Sequence, residues 1–280
     1  MSYGPKPWQQ TQWDWRAAGN FIGGGAGSGL IVFTALSGAR GIELAVLMLA
    51  GLALIGLGLA CVWAELGRPL RFANVFINPR TSWMSREAIT ATVLVPVGLA
   101  VAFVLPDFVW LAAVLALLFV YCQSRMLQAA KGVVAWREPR LVPLLVTTGL
   151  TEGAGLFWLG AAWHGRGTPA LLIVFGALVL ARMLVWRAWR QRLAASAAPR
   201  ALAALDAAGR TLLVVGTLIP LAAIAVAGAG QFGAPATAIA ATAGLLAALV
   251  GAWFKFTLIT RGGFNQGFAL VHLPIRGARR

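Results

Sequence analysis

Eight long apolar runs are the feature that most constrains the fold of this 280-residue chain. A helix that crosses a hydrocarbon layer about 30 Å thick needs roughly 20 apolar residues. Because 60% of the residues are hydrophobic and only 11% are charged, an ordinary soluble protein is excluded. The sequence therefore predicts an all-α integral membrane protein with eight transmembrane helices. The runs are residues 17–36, 42–64, 88–105, 108–128, 141–163, 170–189, 211–228 and 235–259.

The segments outside these runs give the remaining organisation. Residues 1–16 form a polar, Trp-rich lead with no cleavage motif, so we expect the first span to stay in the mature chain. Within the membrane domain (17–259), a long basic loop (65–87) joins the second and third spans. The connection between the sixth and seventh spans (190–210) has apolar residues at helical spacing, which suits a short interfacial helix, and a linker between two four-helix groups is equally compatible. Residues 260–280 form a tail that is too polar to span.

Positive charge is concentrated on one side of the predicted bundle. Of the 23 Lys and Arg residues, only Arg40 and Arg166 fall in the connections after the first, third, fifth and seventh spans. Loops rich in Lys and Arg stay in the cytoplasm. The chain is therefore predicted to be a multi-pass protein of the cytoplasmic (inner) membrane with both termini in the cytoplasm. Nucleic acid is excluded as a partner because there is almost no soluble mass.

The loop between the second and third spans is far longer than a helix turn requires. Its sequence, ELGRPLRFANVFINPRTSWMSRE, takes over twenty residues where about 2 to 8 suffice. Anionic membrane lipid would attract its arginines, and a docking surface for another protein would use the same charges. Both interpretations stay open. The four arginines concerned are Arg68, Arg71, Arg80 and Arg86.

Three stretches together resemble one protein family. They are WDWRAAGNFIGGGAGSGL (13–30), LGRPLRFANVFINPRTSWMSRE (66–87) and YCQSRM (121–126). They are similar to the NrfD/PsrC (polysulfide reductase) and DmsC (dimethyl sulfoxide reductase) membrane anchors of molybdoenzyme complexes. The opening PKPWQQTQWDWRAAGNF most resembles the membrane subunits of phenylacetyl-CoA:acceptor oxidoreductases. The resemblance implies an oxidoreductase subunit that holds an iron-sulfur subunit and a molybdopterin-type catalytic subunit and passes electrons between them and quinone.

The chain's own residues argue against a resident metal. His164 and His272 are its two histidines, and the predicted topology puts them on opposite faces, so they cannot share one haem iron. Cys61 and Cys122 have no CxxC spacing that would hold a cluster. We therefore expect no haem. Iron-sulfur clusters and the molybdenum or tungsten cofactor would lie in the partner subunits, and ubiquinone or menaquinone would bind near the basic face.

The resemblance also implies quinone-binding residues. Asn20 matches the place of a quinone-bonding histidine in the pattern W-x-W-x-x-x-x-[NH]-F, and Tyr121 matches a tyrosine that donates to the other quinone oxygen. Arg125, one turn from Tyr121, and Trp15 of the W-x-W pair are predicted to join them. Plainer interpretations stay open, because Asn20 suits helix packing and Tyr121 suits the interfacial aromatic belt.

Glu152 lies near the middle of the fifth span, where an ionised group costs a few kcal/mol. A proton relay to quinone is its functional interpretation, and hydrogen bonds between helices are its structural one. Glu87 is a second catalytic candidate, or else a carboxylate favoured by a helix N-terminus. Arg182 and Lys255 are expected to extend to the basic interface.

The predicted function is a haem-free, quinone-reactive anchor, and the cytoplasmic orientation favours a cytosolic substrate such as an acyl-CoA. A secondary transporter with Glu152 as its coupling site is one alternative. An even four-plus-four division argues against it, because inverted halves need an odd number of helices each. A passive anchor without a redox role is the other alternative.

The topology can be checked with reporter fusions. Alkaline phosphatase fused after Arg280 should be inactive and green fluorescent protein at that point should fluoresce, because the C-terminus is predicted to be cytoplasmic. Phosphatase fused after Arg166 is the control and should be active. The opposite pattern of activities would contradict the predicted orientation.

Overall fold

The computed structural model describes residues 4, 6–65, 69–229 and 232–268. Within this part of the chain the regular structure is helical, and two isolated bridges are the only β contacts. The helices are α1 (Trp15–Leu36), α2 (Gly41–Trp63), α3 (Trp83–Phe103), α4 (Val109–Ala129), α5 (Val134–Arg137), α6 (Leu141–Leu159), α7 (Ala161–His164), α8 (Pro169–Leu193), α9 (Pro199–Leu213), α10 (Ile219–Ala229) and α11 (Ala234–Thr260). Short 3-10 helices cover Pro69–Phe76 and Pro106–Phe108, and a π-helix covers Val214–Leu218.

Eight helical segments of the described chain are long and apolar enough to cross a membrane. This confirms the prediction of an all-α membrane protein with eight spans. Seven of the segments contain one long helix each, and the remaining one, Pro199–Ala229, joins α9 to α10 through the π-helix. The short helices α5 and α7 lie beside the ends of α6 and do not span.

Several helix boundaries differ from the sequence prediction, and two regions show a local reason. The third span begins at Trp83 instead of residue 88, because Ser82 caps the helix by accepting a hydrogen bond from the Ser85 backbone N–H. The predicted linker 190–210 is largely helical, because α8 continues to Leu193 and α9 starts at Pro199. Proline is favoured at the first position of a helix, and α9 buries one face.

α1 lies at the centre of the bundle and packs against α2, α4, α6 and α11. Its glycines allow the backbones to approach closely, as the small residues of this stretch predict. A β-carbon at Gly27 would lie 2.4 Å from the Gly51 carbonyl oxygen of α2. On another face, a β-carbon at Gly153 of α6 would lie 2.1 Å from the backbone of Gly29. α6 in turn packs against α11 and α8.

The N-terminal lead and the segment after α11 meet at one end of the bundle. Gln9 and Phe264 form an antiparallel bridge, and Val133, before α5, forms another with Asn265. The Asn265 side chain also accepts a hydrogen bond from the Trp8 backbone N–H. The lead, the α4–α5 connection and residues 263–267 therefore share the end at which the basic loops lie. Residues 269–280, including His272, fall outside the described residues.

The close contact between α1 and α6 gives a test of the packing. Gly153→Ala should destabilise the protein by about 1 to 3 kcal/mol, because the added methyl group has no space beside Gly29 and Leu30. The matched control is Gly56→Ala in α2, where nothing lies within 4 Å of the added carbon. Thermal unfolding in detergent measures both variants. Equal melting temperatures for the two would contradict this packing.

Candidate functional site

A cavity of about 940 Å³ opens at the end of the bundle that carries the basic loops. It lies between the start of α1, the end of α2, the start of α3 and the 3-10 segment Pro69–Phe76 of the long connection. Most of its walls are apolar. They include Trp13 and Phe21, Leu59 and Trp63 of α2, Phe72 and Phe76 of the connection, Met84 and Ala91 of α3, and Met126 of α4.

Two polar side chains of this cavity, Asn20 and Glu87, belong to a buried hydrogen-bond network. The Asn20 amide donates to Glu87 Oε1 at 3.3 Å, and the Gln123 amide donates to the same oxygen at 3.3 Å. Gln123 also donates to the Asn20 backbone carbonyl at 3.0 Å. The three side chains are at most 3% exposed. Asn20 Oδ1 is buried without a hydrogen-bond partner among the described residues, so one strong acceptor remains free beside the cavity.

Glu87 therefore lies deeper in the bundle than a carboxylate that only faces the N-terminus of a helix needs to lie. It occupies the fifth position of α3 and is buried against α1 and α4, where Asn20 and Gln123 satisfy one of its oxygens. A buried carboxyl group with two amide partners can hold or release a proton without a large rearrangement. Of the predicted site residues, Glu87 is the one that hydrogen-bonds Asn20.

Gln123 was not among the predicted site residues, although it lies two positions after Tyr121. Successive side chains of a helix turn by about 100°, so residues two apart face in different directions. The signal available in the sequence was a polar glutamine inside the apolar run of the fourth span. Gly24 of α1 makes room for it, since a β-carbon there would lie 2.3 Å from Gln123 Nε2.

Glu65 stands near the polar edge of the cavity, just beyond the end of α2. Partial burial raises the pKa of its carboxyl group, the Asp14 carboxylate raises it further, and Arg16 opposes the change. Arg16 is paired with Asp14 at 2.8 Å and donates to the Ala64 carbonyl. Glu65 therefore adds a carboxyl group to this edge of the cavity.

Three predicted quinone-binding residues lie outside the cavity. Tyr121 is 38% exposed on α4, and its ring meets the edge of Trp83 at a centroid distance of 5.8 Å. Arg125 lies 4.6 Å above the Trp83 ring and donates to the Tyr121 hydroxyl at 3.4 Å. Trp15 is 62% exposed, and Trp13 is the member of the W-x-W pair that lines the cavity. The structure thus groups Asn20 with Glu87, and Tyr121 with Arg125.

The predicted docking arginines differ in their surroundings. Arg68 falls outside the described residues, and Arg71 lies in the 3-10 segment Pro69–Phe76. Arg80 is exposed. Arg86 donates to the Pro79 and Arg80 carbonyls at 2.8 and 2.7 Å and lies 4.1 Å above the Trp83 ring. Arg86 therefore fixes the loop that leads into α3, and Arg80 is the one of these four that the structure shows presented outward.

A second polar centre lies in the middle of the bundle around Glu152. Lys255 of α11 donates to Glu152 Oε2 at 2.6 Å and to the Phe21 backbone carbonyl at 2.7 Å. Arg182 of α8 donates to the Ala247 carbonyl at 2.9 Å and to the Gly216 carbonyl of the π-helix. Arg182 and Lys255 are 0% and 1% exposed. The prediction that they extend to the interface is therefore wrong, because Glu152 and backbone carbonyl groups accept their hydrogen bonds inside the bundle.

The π-helix explains how the bundle accommodates the Arg182 guanidinium. A π-turn offsets the helical hydrogen-bond pattern and changes which carbonyl groups are available. The freed Gly216 carbonyl accepts from Arg182, and Gly251 of α11 leaves space beside both Arg182 and Glu152. Glu152 Oε1 has no hydrogen-bond partner among the described residues. The sequence signals for this centre were three ionisable residues in three different spans.

Among the other ionisable residues of the described chain, His164 is buried in α7. His164 Nε2 lies 2.9 Å from the Phe157 carbonyl and its Nδ1 accepts from the Arg166 backbone N–H, which gives the imidazole two local partners. The described residues contain no group of three or more His, Cys, Asp or Glu side chains placed to hold a metal ion.

Comparison with known proteins does not extend this assignment. No protein-family model matches the chain, and no curated protein sequence matches it either. The family resemblance therefore rests on the three sequence stretches alone. The other support for a function comes from the geometry of the cavity and of the polar centre around Glu152.

The Glu152–Lys255 ion pair gives a test of the second polar centre. Lys255→Met should lower the free energy of unfolding by about 3 to 5 kcal/mol, because it leaves the Glu152 carboxylate buried without its partner. Adding Glu152→Gln should recover part of the loss, since the uncompensated charge is then removed. Thermal unfolding in detergent gives both values, with the exposed Lys6→Met as control. A Lys255→Met protein as stable as the control would refute the pair.

Proposed function

We propose that this chain is the quinone-reactive membrane anchor of a multi-subunit oxidoreductase and that quinone binds in the cavity beside Asn20 and Glu87. The observation that carries the proposal is the combination of a large apolar cavity with a free, buried acceptor at Asn20 and a hydrogen-bonded acid at Glu87. The integral membrane character is established by the eight spans. The three sequence stretches support the redox role.

The cavity suits a quinone in size and chemistry. Ligand sites in proteins typically enclose about 300 to 1,000 Å³, with apolar walls and a few polar groups that orient the ligand. Here Phe21, Trp63, Phe72 and Met84 offer surfaces for a flat ring and the start of an isoprenoid tail, and the polar groups come from Asn20, Glu87 and Glu65. A bound quinone supplies an acceptor of two electrons and two protons, which the chain's own residues do not.

The hydrogen bonds of Asn20 suggest how the pocket treats both forms of the ligand. With Glu87 ionised, the Asn20 amide NH₂ donates to it, and Asn20 Oδ1 stays free to accept a hydrogen bond from a hydroxyl group of the ligand. With Glu87 protonated, the acid can donate to Oδ1, and the amide turned by half a rotation presents its NH₂ to a carbonyl oxygen. The protonation state of Glu87 would thereby decide whether Asn20 accepts a hydrogen bond from a quinol hydroxyl or donates one to a quinone carbonyl.

The long connection between α2 and α3 has a role in this proposal. Its 3-10 segment supplies Phe72, Val75 and Phe76 to the cavity wall, so part of the site is made by residues that a short turn would lack. Its outer surface carries Arg80 and Ile77, which is 74% exposed. We propose that the iron-sulfur subunit docks on this surface and that the molybdopterin-type subunit binds beyond it.

Glu152 enters the proposal as a proton relay behind the cavity. Lys255, its partner, also hydrogen-bonds the carbonyl of Phe21, whose side chain lines the cavity. Lys255 therefore lies between Glu152 and the part of α1 that borders the cavity. The same buried acid between two cations is the observation that favours the alternative, a secondary transporter with Glu152 as its coupling site.

Quinone binding by the purified chain in lipid nanodiscs tests the proposal. A short-chain quinone should quench the fluorescence of Trp13 and Trp63 in the cavity wall. Asn20→Leu should raise the Kd about tenfold, because a buried hydrogen bond is worth about 1.4 kcal/mol. The matched control is Ser28→Ala, which removes another buried, unpartnered polar atom further along α1.

Three outcomes of this measurement separate the candidate functions. Saturable quenching that weakens in Asn20→Leu and stays unchanged in Ser28→Ala supports the quinone site. Quinone binding that neither Asn20→Leu nor Glu87→Gln alters would place the ligand outside this cavity. A protein without measurable quinone affinity would be a passive anchor or a transporter, and substrate-driven proton uptake abolished by Glu152→Gln would identify the transporter.

A further inference from the structure

A second cavity of about 720 Å³ lies at the same end of the bundle, on the other side of the start of α3. Trp83 lines this cavity, whereas its neighbour Met84 lines the first one. The second cavity reaches from the end of α4 past α5 to the α8–α9 connection. It contributes nothing to the quinone site, and its chemistry is different.

Positive charge dominates this second cavity. Arg125, Lys131 and Arg137 line it, with Glu138 as the one acidic side chain. None of the ion pairs found among the described residues includes any of these four side chains. The three cations therefore share one cavity without a carboxylate within 4 Å, an arrangement that an anion would stabilise.

Arg125 is held in a position that suits an anionic ligand. Its guanidinium lies over the Trp83 ring, which fixes the plane of the group, and its Nε is buried without an acceptor among the described residues. A guanidinium offers parallel N–H donors that match two phosphate oxygens. Because a buried, unpaired donor is costly, a ligand oxygen that accepts from Nε would supply the missing hydrogen bond.

The other walls indicate that the ligand is amphiphilic. The Trp83 ring, Ala129, Val134 and Leu193 supply apolar surface beside the cations. These residues lie at or near the ends of the spanning helices α3, α4 and α8, which is the depth of the lipid headgroups. Basic pockets between helix ends on the cytoplasmic side are typical sites for anionic headgroups.

We infer that this cavity binds the phosphodiester headgroup of an anionic phospholipid, with Arg125, Lys131 and Arg137 around the phosphate and the Trp83 side of the cavity along the glycerol. The shared chemistry is a phosphate anion, and a soluble phosphate is its other source. The apolar wall at headgroup depth favours the lipid. This site is independent of the proposed quinone function, because it uses another cavity and other residues.

Native mass spectrometry of the full chain, titrated in detergent with phosphatidylglycerol, tests the inference. The wild-type protein should retain phosphatidylglycerol in preference to phosphatidylcholine. Lys131→Gln/Arg137→Gln should lower the affinity for phosphatidylglycerol roughly 20-fold, since two cations near the phosphate are lost. Both residues are exposed, so the variant should fold. The matched control, Arg192→Gln/Arg200→Gln, removes two exposed cations outside the cavity and should bind as wild type.

Competition identifies the source of the anion. Retained phosphatidylglycerol in the presence of millimolar inorganic phosphate supports the lipid, and its displacement would assign the site to a soluble phosphate. Equal phosphatidylglycerol affinity of the cavity variant and the control would overturn the site. Loss of a co-purifying protein subunit in Lys131→Gln/Arg137→Gln, without any change in lipid retention, would make this face a protein contact instead. Arg125→Gln should repeat the loss of lipid.

Discussion

The hydrogen bonds accepted by two successive carbonyl groups of α1 connect the polar interior of the bundle. The Asn20 carbonyl accepts from Gln123 of α4, and the Phe21 carbonyl accepts from Lys255 of α11. One turn further, Gly24 and Gly25 have no side chains, and a β-carbon at either would lie 2.3 Å from the arriving nitrogen. In a lipid environment such donors have no water as a substitute partner, so the glycines and the carbonyl groups act together.

This arrangement places the two polar centres side by side along α1. Glu87 reaches α1 through the Asn20 amide, and Glu152 reaches it through Lys255 and the Phe21 carbonyl. Buried ionisable groups in a membrane bundle are costly and usually serve a function. A cavity with one acid beside it, and a second acid linked to the same helix through Lys255, is suited to a ligand whose redox change moves protons. The basic cavity beyond Trp83 lies at the same end of the bundle.

Hydropathy predicted the spans because burial in lipid acts on whole helices, and the eight confirmed spans follow from that one property. Side-chain contacts were less accessible. Asn20 and Glu87 were both singled out, but their direct contact depends on how α1 and α3 cross. Arg182 and Lys255 are near the ends of their spans, which suggested the interface. Arg182 bonds the Gly216 carbonyl of the π-helix beside Gly251, and Lys255 bonds Glu152 and the Phe21 carbonyl beside Gly25. Neither local hydropathy nor charge reveals these contacts.

The central claim is that quinone meets this chain in the cavity beside Asn20, next to a docked redox partner. Photoaffinity labelling with an azidoquinone, applied to the complex purified from its native membrane and mapped by mass spectrometry, tests it most directly. The account predicts an iron-sulfur subunit in the complex and labelled peptides from residues 13–21, 59–65, 72–76 and 84–92, which line the cavity. Label confined to the opposite end of the bundle, around residues 36–43 or 159–169, would contradict it.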